Sequence, residues 1–180
     1  CALPIYLFTH KDKRPSGKPI VLIALPGMIE ECRSILQTCV CLEKKLCNEA
    51  RFLLKIHPLY TKKRFFSLVP EFDSALFEVT ARPMPELFEI ISVLITAGSS
   101  VSVEAVSVGI PVVICGNRSG VTHNFIPETV SKKLWSVVYT AEDLEAFVRG
   151  SFNIKNRESR VNEFFQPMDK TKTRELFTCH

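Results

Sequence analysis

Apolar positions in this chain follow two alternating rhythms. Runs such as Ile20-Val21-Leu22-Ile23-Ala24 and Val93-Leu94-Ile95 are uninterrupted by polar residues, as in strands buried on both faces of a parallel sheet. Between such runs, segments such as 29–48 repeat apolar residues every three or four positions, the period of an amphipathic helix. The rhythm predicts strands over 19–25, 51–56, 74–80, 93–97, 112–114 and 134–139. It predicts helices over 28–48, 85–91, 100–108 and 141–149, the last capped by Thr140, and leaves 60–68 as a solvated loop or short helix. Strands alternating with helices at this spacing imply an α/β fold with a doubly wound parallel sheet. Residues 1–18 read as a polar linker, 19–150 as the α/β domain, and 151–180 as a charged, partly helical C-terminal tail.

One stretch organises the rest. Val93-Leu94-Ile95-Thr96 reads as a strand, Gly98-Ser99-Ser100 as a turn, 100–108 as a helix, and Gly109-Ile110-Pro111 as its stop before the next strand. Small hydroxyl residues ahead of an apolar-periodic segment signal a helix N-cap, and glycine followed by proline signals its end. In such a βαβ unit the helix starts at the carboxyl edge of the sheet, where open α/β proteins bind ligands. Its first N–H groups lack intrahelical partners and lie at the positive end of the helix dipole, which suits an anion. Gly98 lets a phosphate approach the backbone, and Ser99 and Ser100 add hydroxyl donors. Glu104, about one turn in, has the chemistry to accept bonds from a pair of sugar hydroxyls. The plainer alternative makes Gly98 a simple turn and Glu104 a solvated helix residue.

Composition narrows the classes. With 180 residues, 46% hydrophobic content and a mean hydropathy of +0.13, the chain can bury a sizeable core. The net charge of +4 suits an anionic ligand or an anionic membrane surface but is too weak to argue for nucleic acid. Charges or prolines interrupt every apolar segment before it reaches the length of a membrane span. There is no signal-peptide pattern and no initiator Met, so the chain reads as a piece of something longer. Seven cysteines show no Cys-x-x-Cys pair, and Cys32, Ile35, Leu36, Cys39, Val40 and Cys47 share one helical face. Core packing by reduced thiols, in a cytoplasmic setting, is simpler than a metal site. A dinucleotide fingerprint, a Walker phosphate loop and a Gly-x-Ser-x-Gly elbow are all missing.

Other candidates end predicted strands on the same edge. Gly27 follows the first strand in Leu25-Pro26-Gly27, and His57 closes the second. A histidine there suits a phosphate or a ribose, or else is satisfied by backbone. Val79 to Arg82 follow the third strand, where backbone groups can read a base edge and Arg82 can meet phosphate. His123 lies after the fifth strand in a polar loop of the kind that lines a cleft.

These motifs, taken in order, resemble the carboxy-terminal, donor-binding half of GT-B glycosyltransferases, a Rossmann-like domain. The resemblance covers roughly 19–149. It rests on strand-Pro-Gly, Lys55-Ile56-His57-Pro58, Pro85-Glu86-Leu87-Phe88, Gly98-Ser99-Ser100-Val101-Ser102-Val103-Glu104-Ala105 and Gly109-Ile110-Pro111-Val112-Val113. The His-Pro and Ser-Ser pair is similar to that of bacterial sialyltransferases, capsule polymerising enzymes and Kdo transferases that use CMP-linked sugars. Similar patterns occur in glycerophosphotransferases of teichoic acid synthesis and in UDP-N-acetylglucosamine 2-epimerases. The resemblance implies that Gly98, Ser99 and Ser100 hold a donor phosphate and that Glu104 binds the ribose. His57 then faces the phosphate or leaving group as the catalytic candidate, and 79–82 contact the base; Gly27 and His123, at strand ends on the same edge, are further substrate-binding candidates from their position. It implies sugar transfer to an acceptor hydroxyl in surface polysaccharide or glycan synthesis, with no metal and no cofactor beyond the nucleotide-sugar substrate. It also implies a missing amino-terminal acceptor domain carrying the catalytic base, so that this half is inactive alone. A cytoplasmic location at the inner membrane face, with peripheral membrane association, fits that role. The competing readings are half of a UDP-N-acetylglucosamine 2-epimerase-like enzyme and a non-catalytic nucleotide-binding domain.

Overall fold

A computed structural model describes residues 17–117, 120–154, 157–158 and 160–165. The strands are β1 (Ile20–Ala24), β2 (Arg51–Lys55), β3 (Glu78–Val79), β4 (Val93–Thr96), β5 (Val112–Cys115) and β6 (Trp135–Val138). The helices are α1 (Ile29–Leu46), α2 (Lys62–Leu68), α3 (Met84–Ile90), α4 (Val101–Ser107), α5 (Ala141–Ser151) and α6 (Val161–Phe164). All strand pairings are parallel, in the order β3-β2-β1-β4-β5-β6. The expected doubly wound sheet is therefore present.

Strand side chains alternate between two apolar layers because successive residues point to opposite faces. Val21, Ile23, Leu54, Val93, Ile95 and Val113 pack under α1, α2 and α5, which contribute residues such as Cys32, Leu36, Phe65 and Leu144. Leu22, Leu53, Leu94, Val112, Ile114 and Trp135 pack under α3 and α4, which contribute Leu87, Phe88, Ala105 and Val106. Burial on both faces explains why these strands read as unbroken apolar runs.

Three local expectations are corrected. The third strand shrinks from the expected 74–80 to Glu78–Val79, because Asp73 turns the chain before it. Its carboxylate accepts from the Ala75 N–H at 2.8 Å and its carbonyl from the Leu76 N–H. On α1 the buried face runs through Cys32, Cys39, Leu42 and Leu46, and Cys47 is exposed. A seven-residue step keeps the face of an α-helix, which selects Leu46 over Cys47. The third concerns Ser100, which precedes α4 in helical backbone conformation and makes no side-chain cap bond.

The end of α4 is as expected. Gly109 takes φ +72°, the Gly109 N–H donates to the Val106 carbonyl and the Ile110 N–H to the Ala105 carbonyl. These bonds form a Schellman motif with glycine in the left-handed region. The linker expectation for 1–18 lies outside the described residues except for Gly17 and Lys18. The tail beyond residue 165 also lies outside them. The described part of the tail packs on the domain. Arg157 is 5% exposed, and its guanidinium donates to the Phe88 carbonyl at 2.9 Å and to the Ile91 carbonyl. The Arg160 N–H donates to the Ser107 carbonyl. A cation here satisfies carbonyls that the end of α3 leaves without helical partners.

Candidate functional site

Because every strand runs the same way, the loops after β1, β2, β3, β4 and β5 all emerge at one edge. That edge holds Gly27, His57, Val79, Arg82, the Gly98-Ser99-Ser100 turn, Glu104 at the start of α4, and His123. The chain order reverses between β1 and β4. At such a switch point the adjoining loops leave in opposite directions and open a crevice. The Gly27 loop and the Gly98-Ser99-Ser100 turn flank it.

Two pairs of these residues meet. A Cβ at Gly27 would stand 3.7 Å from both Cε1 and Nδ1 of His57, so the β1 and β2 loops touch there. A Cβ at Gly98 would stand 2.5 Å from the His123 Cβ and 2.7 Å from its carbonyl oxygen. Glycine at 98 is thus required by the approach of the β5 loop, whatever else it serves. The half-buried Val79 and exposed Arg82 are carried by the β3 edge strand and its following loop.

Hydrogen bonding sorts the groups further. The His57 Nδ1 accepts from the Leu59 N–H at 3.3 Å, which puts the ring proton of the neutral form on Nε2. Half of the ring is thereby satisfied by backbone. The Arg82 N–H donates to the Thr80 hydroxyl, and the Arg82 carbonyl accepts from the Lys55 ammonium at 2.6 Å. The Thr80 N–H is taken by the Leu54 carbonyl. At the α4 start, the Ser99 carbonyl accepts from the Ser102 N–H and hydroxyl, and the Ser100 carbonyl accepts from the Val103 and Glu104 N–H groups. Among the described residues, the Ser99 and Ser100 hydroxyls have no protein hydrogen bond. The cap that Ser100 does not make leaves that hydroxyl uncommitted. Glu104 is half-buried one turn further in.

A cavity of about 580 Å³ lies between the first turns of α1 and the loops after β4 and β5. Gly98 and His123 line it with Met28, Cys115, Asn117 and Thr122. His57, Ser99, Ser100, Glu104, Val79 and Arg82 do not. Burial pushes the Cys115 thiol up to about 12, so it lines this wall as a small neutral group. A second hollow of the same size lies away from the switch point, beside β6, around Lys132, Trp135 and Tyr139. Among the described residues, no three His, Cys, Asp or Glu side chains are grouped to hold a metal ion.

Two loop-tying contacts of this edge, made by Tyr60 and by the motif residue Lys55, escape a reading by motif. The Tyr60 hydroxyl donates to the Gly27 carbonyl at 2.8 Å and ties the β2 loop to the β1 loop. Lys55 holds the β3 loop through the Arg82 carbonyl, and burial lowers its pKa. Both sit within five residues of the His-Pro pair, but nothing in spacing alone reveals a contact to a loop dozens of residues away.

No family model matches the sequence, and no curated protein matches it. Solved structures share its architecture. UDP-GlcNAc 2-epimerase of Methanocaldococcus jannaschii, in complex with UDP-GlcNAc and UDP, superposes with a TM-score of 0.63 at 18% identity over 89% of this chain. The Neisseria meningitidis UDP-GlcNAc 2-epimerase bound to UDP-GlcNAc gives 0.57 at 15% identity over 90%. A variant of the wall teichoic acid polymerase TagF gives 0.51 at 18% identity over 96%. The matched region is 45%, 45% and 46% of those proteins, so the chain spans less than half of each. At such identities the likeness shows the fold. The domain is an α/β, Rossmann-like unit of the kind found in one half of GT-B proteins.

Proposed function

We propose that this domain binds the donor nucleotide-sugar of a glycosyltransferase acting in surface polysaccharide or glycan biosynthesis. The observation that carries the proposal is the Gly98-Ser99-Ser100 turn at the β1/β4 switch point, with two serine hydroxyls uncommitted and Glu104 one turn behind them. Ser99, Ser100 and the backbone of the turn hold the donor phosphate, and Glu104 takes the ribose hydroxyls. The Nε2–H of His57 faces the phosphate or the departing nucleotide. Val79 and Arg82 lie toward the base, and Gly27 and His123 bound the crevice. Donors fixed before reaction stabilise the anion that leaves when the sugar moves to an acceptor hydroxyl. The acceptor and the catalytic base come from a second domain, and the work takes place in the cytoplasm at the inner face of the membrane. That similar folds were crystallised with UDP-GlcNAc or UDP supports a nucleotide-sugar as the ligand class.

Calorimetric titration with CMP, UDP and CDP tests this. Saturable binding of at least one, weakened about tenfold or more by Glu104→Ala, is expected, since a hydrogen bond to a charged group contributes roughly 1.5–3 kcal/mol. Failure of all three to bind ends the reading.

A further inference from the structure

Residues 50–70 carry Arg51, Lys55, Lys62, Lys63 and Arg64 and no Asp or Glu. Arg51 is paired with Glu78, and Lys55 is turned toward the Arg82 carbonyl. Lys62, Lys63 and Arg64 are different. They form the first turn of α2, all three are exposed, and among the described residues none has an ion-pair partner. The helix that displays them is fixed. The Thr61 hydroxyl caps it by accepting from the Arg64 N–H, and Phe65 is wholly buried beneath it against Tyr60 and Phe66.

Exposed apolar side chains bracket the same three cations. Leu59, just before the helix, is 66% exposed, and Leu68, its last residue, is 39% exposed. Leu59 Cδ1 lies 3.2 Å from where a Cβ of Gly27 would stand, and Met28, the next residue along the chain from Gly27, is 65% exposed. A cluster of unpaired cations would by itself be an ordinary solvated surface. A rigid cluster edged by three large apolar side chains is not explained by solubility, because singly scattered apolar residues are what solubility tolerates.

We propose that α2 with Leu59, Leu68 and Met28 is a docking face for an anionic lipid bilayer. The bilayer surface is the partner that offers both halves of what the face presents. Anionic head groups attract Lys62, Lys63 and Arg64, and the boundary with the acyl chains accepts the apolar side chains. Nucleic acid fits less well, because the cations are bunched on one turn instead of tracking a line of phosphates. The aromatic residues of α2 are also turned inward or half-buried, not offered for stacking on bases. Leu59 and Met28 follow β2 and β1, so docking sets the carboxyl edge of the sheet beside the bilayer. The inference rests on the proposed placement at the inner face of the membrane and adds the surface that docks there.

The test is flotation of the full chain with vesicles of phosphatidylcholine alone and of phosphatidylcholine mixed with phosphatidylglycerol. Binding to the mixed vesicles only, reversed by molar salt, is expected. Each cation contributes on the order of fivefold to partitioning, so Lys62→Gln, Lys63→Gln and Arg64→Gln together lower it roughly a hundredfold. Leu59→Ser, checked for an unchanged unfolding midpoint, weakens lipid binding without altering retention on a polyanionic heparin column. The proposal is overturned if mixed vesicles are not bound, or if binding survives the triple substitution. Equal sensitivity of heparin and vesicle binding to Leu59→Ser would likewise overturn it, by assigning the face to polyanions in general. Nucleotide titration is carried out without lipid and flotation without nucleotide, so the two proposals fail separately.

Discussion

At the amino edge of the sheet, the chain closes its own polar ends, whereas at the carboxyl edge it leaves groups unspent. Arg157 covers the carbonyls at the end of α3, Gly109 completes the Schellman turn of α4, and the Arg160 N–H takes the Ser107 carbonyl. Ser92 and Ile20 exchange bonds on the same side, its N–H to the Ile20 carbonyl and the Ile20 N–H to its hydroxyl. At the other edge stand the uncommitted hydroxyls of Ser99 and Ser100. There, too, stand the exposed Met28, Leu59, Val121, Phe125 and Tyr139. A parallel sheet gives both edges the same number of strand ends, so the difference lies in what the loops were selected to do. One edge is closed by its own bonds, and the other keeps polar and apolar groups available.

The contrast breaks most sharply at Arg157. Arg157→Ala strands two helix-end carbonyls in a buried setting, at about 1–3 kcal/mol for each unsatisfied group. A loss of roughly 2–4 kcal/mol in chemical denaturation is expected, with nucleotide affinity unchanged in the folded fraction. A loss below about 0.5 kcal/mol would mean that the amino edge is not closed by this residue. Gly98→Ala comes next. Its Cβ meets both the side chain and the backbone of His123, so the β5 loop must move. A cost of about 1–3 kcal/mol follows from overpacking, accompanied by altered nucleotide affinity because the loop also bounds the crevice. Ser99→Ala with Ser100→Ala should shift stability by no more than about 0.5 kcal/mol, while nucleotide affinity falls. If instead this double substitution matched Arg157→Ala in stability, the division between the edges would be wrong.

Smaller effects sharpen the picture. Peptide mapping after brief alkylation of the native protein should find Cys41 and Cys47 modified well before Cys32, Cys39 and Cys115. The first two are exposed, whereas burial pushes Cys32 and Cys115 up to about 12 and Cys39 well above its ordinary value. At the amino edge of the α1 layer, Glu145 accepts from Lys45 and Arg149, and these bonds hold its carboxyl below the usual glutamate range. A depressed carboxylate pKa stabilises the fold above the unfolded value, about 4.3, and that contribution is lost as pH falls through the folded value. The unfolding midpoint of Glu145→Gln should therefore differ from the parent at pH 7 and converge with it at acid pH. The group is half-buried at the surface and its partners are open to solvent, which screens the pair, so this is the smallest of the expected effects.

What could be read from the sequence follows the same division. Strands β1, β4 and β5 and helix α1 were legible because burial on defined faces imposes a period on residue type. The stop of α4 was legible because only glycine tolerates the left-handed turn that Gly109 makes. The third strand was overestimated because its apolar residues, such as Leu76 and Phe77, signal burial without saying that Asp73 bends the chain. Arg157 could not be found at all. A lone cation in a charged tail carries no period, and its partners lie 69 and 66 residues away. At the carboxyl edge the shared position of the motif residues was legible, but the contact of His123 with Gly98 was not. That contact is decided by the path of a loop, and loops leave no hydrophobic rhythm behind.

The bond from the Tyr60 hydroxyl to the Gly27 carbonyl bears on the entropy of recognition. A glycine loop free in solution would have to be immobilised when a ligand arrives, which subtracts from affinity. Here the loop is immobilised when the chain folds, by a tyrosine held against Phe65. The ordering is finished before any encounter, so the free energy of association at this edge can go almost entirely into contacts.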